Sequence, residues 1–300
     1  MDRLLSGHTP VLLKEVLQQL DPQPGQSFID VTINGGGHSR KLAERIGPNG
    51  TLLGIEWDGE IYKNLQFSIT DSEFPNNIVL VNDSYANLQT IARQTGFEQV
   101  AGILFDLGMS SWHFSDSGKG FTFQKDEVLD MRYGQTGESA ADILNKYPRE
   151  EISRILRVYG EERFADNIAA AIIKARQAQP IIRTFQLVRV VETAVPAWYR
   201  LGRRLNPATK TFQALRIVVN HELENVETGV IRALPLIRAG GRVAVISFHS
   251  LEDRIVKNIF KNLERSKFKL LTKKPIIATR AESQNNPRAR SAKLRVVEKL

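Results

Sequence analysis

The chain has 300 residues, of which 42% are hydrophobic and 25% charged, as in ordinary globular proteins with one large core or a core and a smaller domain. It contains no cysteine, which excludes disulfides, thiolate metal sites and a cysteine nucleophile. The net charge is +8, and Lys261–Leu300 holds 12 Lys and Arg against 3 Asp and Glu, so the basic excess lies at the end of the chain.

This uneven charge predicts a local contact with a polyanion, although a solvated basic tail has the same composition. No apolar run approaches the ~18 residues that a membrane-spanning helix needs. The first residues, Met1–Leu5, lack the long apolar stretch of a signal peptide. We therefore expect a cytoplasmic protein without a membrane partner.

The first third of the chain alternates strand-like and helix-like segments. The predicted strands are Ser27–Ile33, Thr51–Glu56, Ile78–Val81 and Val100–Asp106. The predicted helices between them are Ser39–Ile46, Glu60–Ile69 and Ala86–Gln94. This rhythm is typical of a parallel sheet covered by helices on both faces.

The rhythm stops at about Ser110, where an irregular loop, Ser110–Arg132, is predicted. Amphipathic helices follow, one opened by Pro148, one running through Phe164, and one with Thr184 as its cap. A short basic connector comes next, at Arg200–Arg204.

The α/β pattern then resumes. Its predicted elements are a helix at Phe212–Leu236, a turn at Gly240-Gly241, a strand at Val243–Phe248, a helix at Leu251–Leu263 and a last strand at Leu294–Val297. We therefore expect a core formed by residues 1–109 and 206–300, with a helical domain inserted at residues 110–205.

Two strand ends carry residues that suit a nucleoside cofactor. The first strand leads into Gly35-Gly36-Gly37 and then a helix, which presents backbone N–H groups to a ligand, although a structural turn fits equally well. The fingerprint GxGxxG fails because Arg40 stands at its third glycine, which counts against a nicotinamide enzyme. Glu56 ends the second strand, 26 residues after Asp30. An acid there can accept hydrogen bonds from both ribose hydroxyls, although taken alone it would be an ordinary surface acid.

A third strand end points to the same place. Asp106 ends the fourth strand, and ligands of open α/β sheets bind at the carboxyl ends of the strands. The glycine loop and the two acids together predict a pocket for adenosine and a sulfonium group.

Longer motifs carry a specific resemblance over nearly the whole chain. They are His8-Thr-Pro-Val-Leu-Leu13, Gly35-Gly-Gly-His-Ser39, Phe105-Asp-Leu-Gly-Met-Ser-Ser111, Gly120-Phe-Thr-Phe123, Leu129-Asp-Met-Arg132, Tyr159-Gly-Glu-Glu-Arg163, Phe212-Gln-Ala-Leu-Arg-Ile217, Ser247-Phe-His-Ser-Leu-Glu-Asp-Arg254 and Asn286-Pro-Arg-Ala-Arg-Ser-Ala-Lys-Leu-Arg295. The chain resembles the bacterial 16S ribosomal RNA cytosine-N4 methyltransferases, known as RsmH or MraW.

The resemblance implies a class I (Rossmann-like) methyltransferase sheet with an inserted all-helical domain that helps to grip RNA. It implies S-adenosylmethionine as the cofactor and N4 of a cytidine as the acceptor, at position 1402 in the usual numbering of 16S rRNA, within the 30S subunit. The absence of cysteine agrees with this, because methylation at carbon 5 of a pyrimidine normally needs a thiolate. Neither DNA nor a metal is expected, and a homo-oligomer is neither required nor excluded.

By position, the resemblance also implies site residues. The implied cofactor contacts are Gly35, Gly36, Gly37, His38, Glu56, Tyr85, Asp106 and His113. The family usually has Gly at Asn34, Asp-Arg at Glu56-Trp57 and Gln at His113, and it also differs at Phe114-Ser115 and Lys119. These departures call into question the substrate specificity that the Ser110–Gly120 loop would provide. They affect the expectation of cofactor binding less.

Catalytic and RNA-binding roles follow from the same motifs. We expect Asp106 to orient the cofactor and the reacting groups, with catalytic roles for Ser110 and His249, although His249 fits a structural hydrogen bond equally well. Ser247 and Ser250 are expected at the substrate, and Asn206, Arg216 and Asn220 either line the pocket or fix the domain junction. Expected phosphate contacts come from Arg288, Arg290, Lys293 and Arg295, around a target base that is extruded from folded RNA.

Two other functions remain open. One is a methyltransferase of the same fold that acts on another RNA position or on a protein amide. The other is an assembly factor that binds rRNA and has lost catalysis, which the departures at Asn34, Glu56 and His113 would explain.

Overall fold

The structure is a computed structural model that describes residues 10–70, 77–201 and 206–300. The start of the His8–Leu13 motif and most of the predicted connector Arg200–Arg204 therefore lie outside the described residues. Within the described ranges, no helix is long and apolar enough to cross a membrane.

The described residues form an eight-stranded sheet and fourteen α-helices. The strands are β1 (Ser27–Asp30), β2 (Thr51–Glu56), β3 (Ile78–Asn82), β4 (Val100–Asp106), β5 (Ile237–Ser247), β6 (Phe268–Leu270), β7 (Ile276–Ile277) and β8 (Lys293–Lys299). The helices are α1 (Leu13–Leu20), α2 (Gly37–Ile46), α3 (Gly59–Thr70), α4 (Leu88–Thr95), α5 (Ser111–Ser115), α6 (Ala140–Lys146), α7 (Arg149–Gly160), α8 (Ala165–Ala178), α9 (Thr184–Ala194), α10 (Ala197–Leu201), α11 (Thr209–Val219), α12 (Glu222–Ala233), α13 (Ser250–Lys261) and α14 (Arg280–Asn285).

The sheet order is β3-β2-β1-β4-β5-β8-β6, and β7 also pairs with β8. Strands β1 to β5 are parallel, whereas β8 runs antiparallel to β5 and to β6. From β1 the sheet is extended in one direction by β2 and β3 and in the other by β4 and β5. The loops that leave β1 and β4 therefore lead to opposite sides of the sheet. A crevice at such a switch point is the usual ligand site of an open α/β sheet.

The central parallel strands β2 and β4 are mainly apolar and buried because both faces of the sheet are covered there. Successive side chains alternate between two cores: Leu104 packs on one face with α1 and α2, and Ile103 and Phe105 pack on the other with α4, α12 and α13. Every residue of β4 is buried. This confirms the α/β class, with the carboxyl ends of the strands as the place where polar residues can gather.

The chain divides into two compact units. Unit 1 runs to Ser110 and resumes at Leu223–Leu300, and unit 2 is Ser111–Glu222. Unit 2 contains helices and no strand among its described residues, apart from an isolated bridge between Val128 and Arg183.

The second boundary lies at Glu222 and not at the expected residue 205. Helix α11 packs in unit 2 against α7, where the backbone carbonyl of Lys210 and the side chain of Ala214 closely approach Gly160. A Cβ on Gly160 would lie 2.7 Å from that carbonyl oxygen, so a glycine permits this close approach.

Several predicted elements differ from the structure. The helix expected at Phe212–Leu236 is broken into α11 and α12 at His221, whose φ is +48°. The turn expected at Gly240-Gly241 lies inside β5, at a register shift opposite Val100–Gly102. Thr184 is the first residue of α9, and its hydroxyl donates to the Lys125 carbonyl and so does not cap the helix.

Candidate functional site

Three buried carboxyl groups end three adjacent parallel strands of unit 1. Asp30 ends β1, Glu56 ends β2 and Asp106 ends β4, on either side of the switch point. The structure therefore brings together the acids that the sequence analysis singled out, at the carboxyl edge of the sheet. Buried carboxyl groups require hydrogen-bond partners, and the loops between these strands supply them.

The glycine loop turns sharply into the N-terminus of α2. Gly36 caps this helix at a φ of +74°, which a residue with a Cβ adopts only at a cost. A Cβ on Gly37 would lie 2.5 Å from the Pro10 ring, whereas one on Gly35 would have no atom of the chain within 4 Å. Gly37 is thus needed for packing inside the protein, and Gly35 leaves open space beside the backbone.

Asn34 links the two loops at the switch point. Its φ is +50°, in the left-handed region that asparagine tolerates better than most residues. Its backbone N–H donates to Glu56 Oε2 at 3.1 Å, and its amide Nδ2 donates to the carbonyl oxygens of Thr32 at 3.0 Å and Gly108 at 3.2 Å. Asparagine at this position therefore tolerates the left-handed backbone and forms a bridge between the loops after β1 and β4.

Glu56 is only 7% exposed. Its Oε1 accepts from the backbone N–H of Asp58 at 2.8 Å, while Oε2 accepts from that of Asn34. Burial nevertheless raises the pKa of this carboxyl from 4.5 to about 8, because desolvation of the charge outweighs the amide hydrogen bonds. When the carboxyl is ionised, each of its oxygens retains a second lone pair for a hydroxyl donor.

His38 joins Asp106 to the N-terminal segment. Its Nδ1 lies 3.3 Å from Asp106 Oδ2, and its Nε2 lies 2.9 Å from the carbonyl oxygen of Val11. A carbonyl and a carboxylate both accept hydrogen bonds, so both ring nitrogens are satisfied when the ring carries two protons. Burial lowers the pKa of His38, but the hydrogen bond and charge of Asp106 outweigh it and raise the pKa.

Two short polar side chains hold the acids in place. The Ser39 hydroxyl donates to Asp30 Oδ2 at 2.7 Å, and the backbone N–H of Asp106 donates to the Thr32 hydroxyl at 2.6 Å. Burial raises the pKa of Asp30 to about 6, against the opposing effect of the Ser39 hydrogen bond. The second oxygen of Asp106, Oδ1, accepts from the backbone N–H of Gly108 at 3.3 Å.

Tyr85 lies on a 3₁₀ turn after β3. Its ring meets Phe105 of β4 edge to face, with centroids 5.8 Å apart, and a Cβ on Gly229 of α12 would lie 2.7 Å from its ring. The aromatic residue expected near the adenine is therefore half-buried and fixed by the core of unit 1.

The Ser247–Arg254 motif begins beside Asp106, because Ile246 of β5 pairs in register with Asp106 of β4. Ser247 is buried, and its hydroxyl is 3.4 Å from the carbonyl oxygen of Lys293. His249 caps α13 together with Glu252, with Nε2 2.9 Å from Glu252 Oε1. The structure thus gives His249 a capping contact, while its catalytic role stays a prediction, and Ser250, which follows it, is exposed.

The four basic residues expected at phosphates are in different environments. Arg295 is 6% exposed, and its Nε donates to Asp253 Oδ1 at 2.7 Å, while the Lys293 ammonium lies 3.4 Å from the same carboxylate. Arg290 is exposed and Arg288 half-buried, and burial lowers the pKa of Arg288 although the charge of Asp106 opposes this. A buried, paired guanidinium is not available to a phosphate, so we remove Arg295 from the expected RNA surface.

The remaining expected residues lie in unit 2. His113 packs in an aromatic cluster with Phe121 and Tyr133, at centroid distances of 5.0 and 5.1 Å. The structure therefore places His113, an expected cofactor contact, in unit 2 among aromatic rings.

Three polar residues of unit 2 fix helix α11 and its neighbours. Asn206 accepts from the backbone N–H of Ala208, and Arg216 pairs with Glu222 at 2.8 Å. The buried Asn220 amide donates to the Met131 carbonyl at 2.7 Å and accepts from the backbone N–H of Tyr133. These contacts favour the structural interpretation for all three residues.

Sequence reasoning missed the residues that connect the strand ends. Thr32 and the Asn34 amide link β1 to β4, and Pro10 and Val11 cover the start of α2. Threonine and asparagine directly after a strand that ends in an acid are the signal that could have been used, since both favour turns with side chain to backbone hydrogen bonds.

Comparisons with known proteins give a family match over nearly the whole chain and a match of fold. Residues 5–300 match the model of the MraW methylase family. A ribosomal RNA small subunit methyltransferase H of Pelobacter propionicus is 43% identical over 98% of both chains. One of Deinococcus deserti is 43% identical over 98% of this chain and 93% of its own. A crystal structure of a proposed rRNA methylase from Clostridium thermocellum superposes with a TM-score of 0.50 at 13% identity, over 98% of this chain and 100% of that one, which supports the fold alone.

Proposed function

Because the chain belongs to the MraW methylase family, we propose that it transfers a methyl group from S-adenosylmethionine to N4 of a cytidine in small-subunit 16S rRNA. The observation that carries this proposal is the hydrogen-bonded cluster at the switch point, where the Asn34 backbone reaches Glu56 and its side chain reaches the loop after β4. Since ribosomal subunits are cytoplasmic, we expect the reaction there.

The residues of unit 1 fit this cofactor. A glycine loop with open space at Gly35 precedes a helix N-terminus, where backbone N–H groups attract a carboxylate. Glu56, at the end of β2, has lone pairs for ribose hydroxyls, and Tyr85 offers an aromatic edge after β3. When bound, the cofactor supplies an electrophilic methyl group on a positively charged sulfur.

The proposed work of the protein is alignment and charge placement. We infer that Asp106 orients the reacting groups, because His38 and the backbone N–H of Gly108 hold both of its oxygens in a fixed direction. An oxygen acceptor for an N4–H would help the delocalised amino nitrogen to attack. Ser110, which is buried at the end of unit 1, remains a candidate for that acceptor.

The RNA is proposed to enter as part of the 30S subunit. Exposed or half-buried cations of the C-terminal segment, Arg288, Arg290 and Lys293, are candidates for phosphate contacts. Ser247 and Ser250 flank the end of β5, where they are candidates for substrate contacts. The target base must leave its stack to reach a buried site, so base extrusion is expected.

The deciding experiment is methyl transfer from labelled S-adenosylmethionine to small ribosomal subunits that lack this modification, followed by nucleoside mass spectrometry. We expect N4-methylcytidine with the wild type and none with Asp106→Ala, while calorimetry shows that the wild type binds the cofactor. Glu60→Gln, an exposed acid on α3, is the matched control and should retain turnover.

Two results would contradict the proposal. A different methylated nucleoside, or methylated protein, would indicate another acceptor for the same fold. Absence of both transfer and cofactor binding would favour an assembly factor without catalysis, and Asn34 and Glu56 would then be the first residues to revert to the usual family residues.

A further inference from the structure

Unit 2 carries an exposed aromatic and cationic surface that the proposed methyl transfer does not use. It is formed by Arg163, Phe164 and Trp198, and we call it the Trp198 surface. The Trp198 side chain is 59% exposed, which is unusual for the largest apolar side chain. The guanidinium of Arg163 lies over the rings of both Trp198 and Phe164, 5.7 Å from each centroid.

The Trp198 surface is held rigidly from below. Tyr199 is buried and meets Phe164 edge to face at 4.8 Å, and its hydroxyl donates to the carboxylate of Glu162 at 2.9 Å. The same buried carboxylate accepts from the backbone N–H of Phe164 at 2.9 Å. These contacts tie the turn between α7 and α8 to α10, so the exposed rings sit on a fixed base.

Arg163 differs from the neighbouring arginines in having no acidic ion-pair partner among the described residues. Arg154 pairs with Glu151 and Arg157 with Asp166, whereas no carboxylate in the described part of the chain forms an ion pair with Arg163. A guanidinium carries five N–H donors in a plane. Arg163 is exposed, so the aromatic rings orient a cation whose donors remain available to an anion.

The exposed indole of Trp198 and the guanidinium of Arg163 together indicate which class of molecule can bind this surface. An apolar protein surface placed on Trp198 would have to bury the Arg163 charge without a partner, which is costly. A nucleotide offers a flat base to the indole and a phosphate to the guanidinium, and single-stranded RNA is commonly bound in this way. A base paired within a helix has no free face, so the nucleotide must be unstacked.

We propose that the Trp198 surface binds an unpaired nucleotide of the RNA substrate, with its base stacked on Trp198 and a phosphate accepting from Arg163. This inference rests on RNA being the substrate, as proposed above. It adds a contact made by unit 2 alone, formed by side chains with no part in methyl transfer.

Three variants test the stacking contact. Trp198→Ala should weaken binding to unmodified small ribosomal subunits about 5- to 150-fold, the usual range for loss of one stacked base, and should raise the KM for subunits in proportion. Trp198→Phe keeps a flat ring and should retain most of the affinity. Phe185→Ala removes another exposed aromatic ring of unit 2 and should leave binding unchanged.

Salt dependence separates the two parts of the contact. Arg163→Ala should reduce the slope of log affinity against log salt concentration by about 1, because one phosphate contact is lost. Trp198→Ala should leave that slope unchanged, because stacking releases no counterions. A merely structural role for Arg163 would lower affinity without changing the slope.

The outcomes distinguish this inference from the proposed function. The wild type binding the cofactor and methylating subunits, with the same KM and affinity in Trp198→Ala, would overturn the Trp198 surface and leave the methyl transfer intact. Trp198-dependent binding to a short fluorescein-labelled single-stranded RNA would support the surface even if no methyl transfer occurred. A dimer that dissociates on Trp198→Ala in sedimentation velocity, with RNA binding unchanged, would show that a second copy occupies the surface and would overturn the proposal.

Discussion

Replacing Glu56 by glutamine should stabilise the protein progressively, relative to the wild type, as the pH rises from 5 to 8. The carboxyl is buried, and its pKa is raised from 4.5 to about 8. In the unfolded chain it ionises near pH 4.5, whereas in the fold it stays protonated until about pH 8. A raised pKa contributes stability that is complete at low pH and is lost as the pH rises towards the folded value. Glutamine cannot ionise, so the variant escapes this loss.

The magnitude follows from the two pKa values. Each unit of difference in proton affinity is worth about 1.4 kcal/mol, and integration between pH 5 and pH 8 makes the wild type lose about 3–4 kcal/mol relative to the variant. Glutamine also replaces one acceptor oxygen, so one of the backbone N–H groups of Asn34 and Asp58 loses its partner. That loss costs about 1–3 kcal/mol at every pH and therefore does not affect the trend.

The assay is urea unfolding followed by circular dichroism at intervals between pH 5 and pH 8, for the wild type, Glu56→Gln and Glu60→Gln. Glu60 is exposed and pairs with Lys63 at 2.8 Å, so its variant should show no comparable trend. A difference between Glu56→Gln and wild type that stays constant within about 1 kcal/mol over this range would refute the argument, because Glu56 would then be ionised in the fold.

Three further predictions concern packing and pairing. Gly37→Ala should lower the melting temperature, because the new methyl group meets a proline ring at 2.5 Å, whereas Gly35→Ala should leave it unchanged and weaken cofactor binding in calorimetry. Asn34→Ala and Asn34→Gly both lose the bridging amide, but alanine should be less stable by about 1 kcal/mol because φ is +50°. Arg295→Ala should destabilise by about 1–3 kcal/mol in chemical unfolding, because the Asp253 carboxylate loses its short contact with the guanidinium and keeps only the longer one with Lys293, whereas Arg290→Ala, at an exposed position, should not.

Much of unit 1 could be predicted from local patterns. The apolar run Val100–Asp106 is a fully buried strand, and the helix predicted at Ser39–Ile46 after the glycine loop is present as Gly37–Ile46, two residues longer at its start. Parallel strands bring their carboxyl ends to one edge, so a strand that ends in Glu56 and another that ends in Asp106 sufficed to predict a shared site. The long motifs then indicated the family.

Other features depended on contacts between residues far apart in the chain. The helix break at His221 accompanies the Asn220 side chain binding the loop at Met131, 89 residues earlier, and helical periodicity carries no information about such a partner. Gly240 was predicted as a turn because glycine favours turns, and its φ is +74°, but the residue lies inside β5 at the register shift against β4. The partners of a segment, which lie far away in the chain, therefore decide how a local preference is used.

The sequence by itself determined the α/β class, the interrupted sheet, the acids at the strand ends and the family resemblance, because each depends on spacing over a few residues or on long contiguous motifs. Only the tertiary structure decided which polar side chains remain available. From the sequence alone, Arg295 and His249 were both expected to contact the substrate. In the structure Arg295 is buried against Asp253, and His249 caps α13. Whether a charged or polar group faces solvent or a partner is a property of packing, and packing is set by residues distant in the chain.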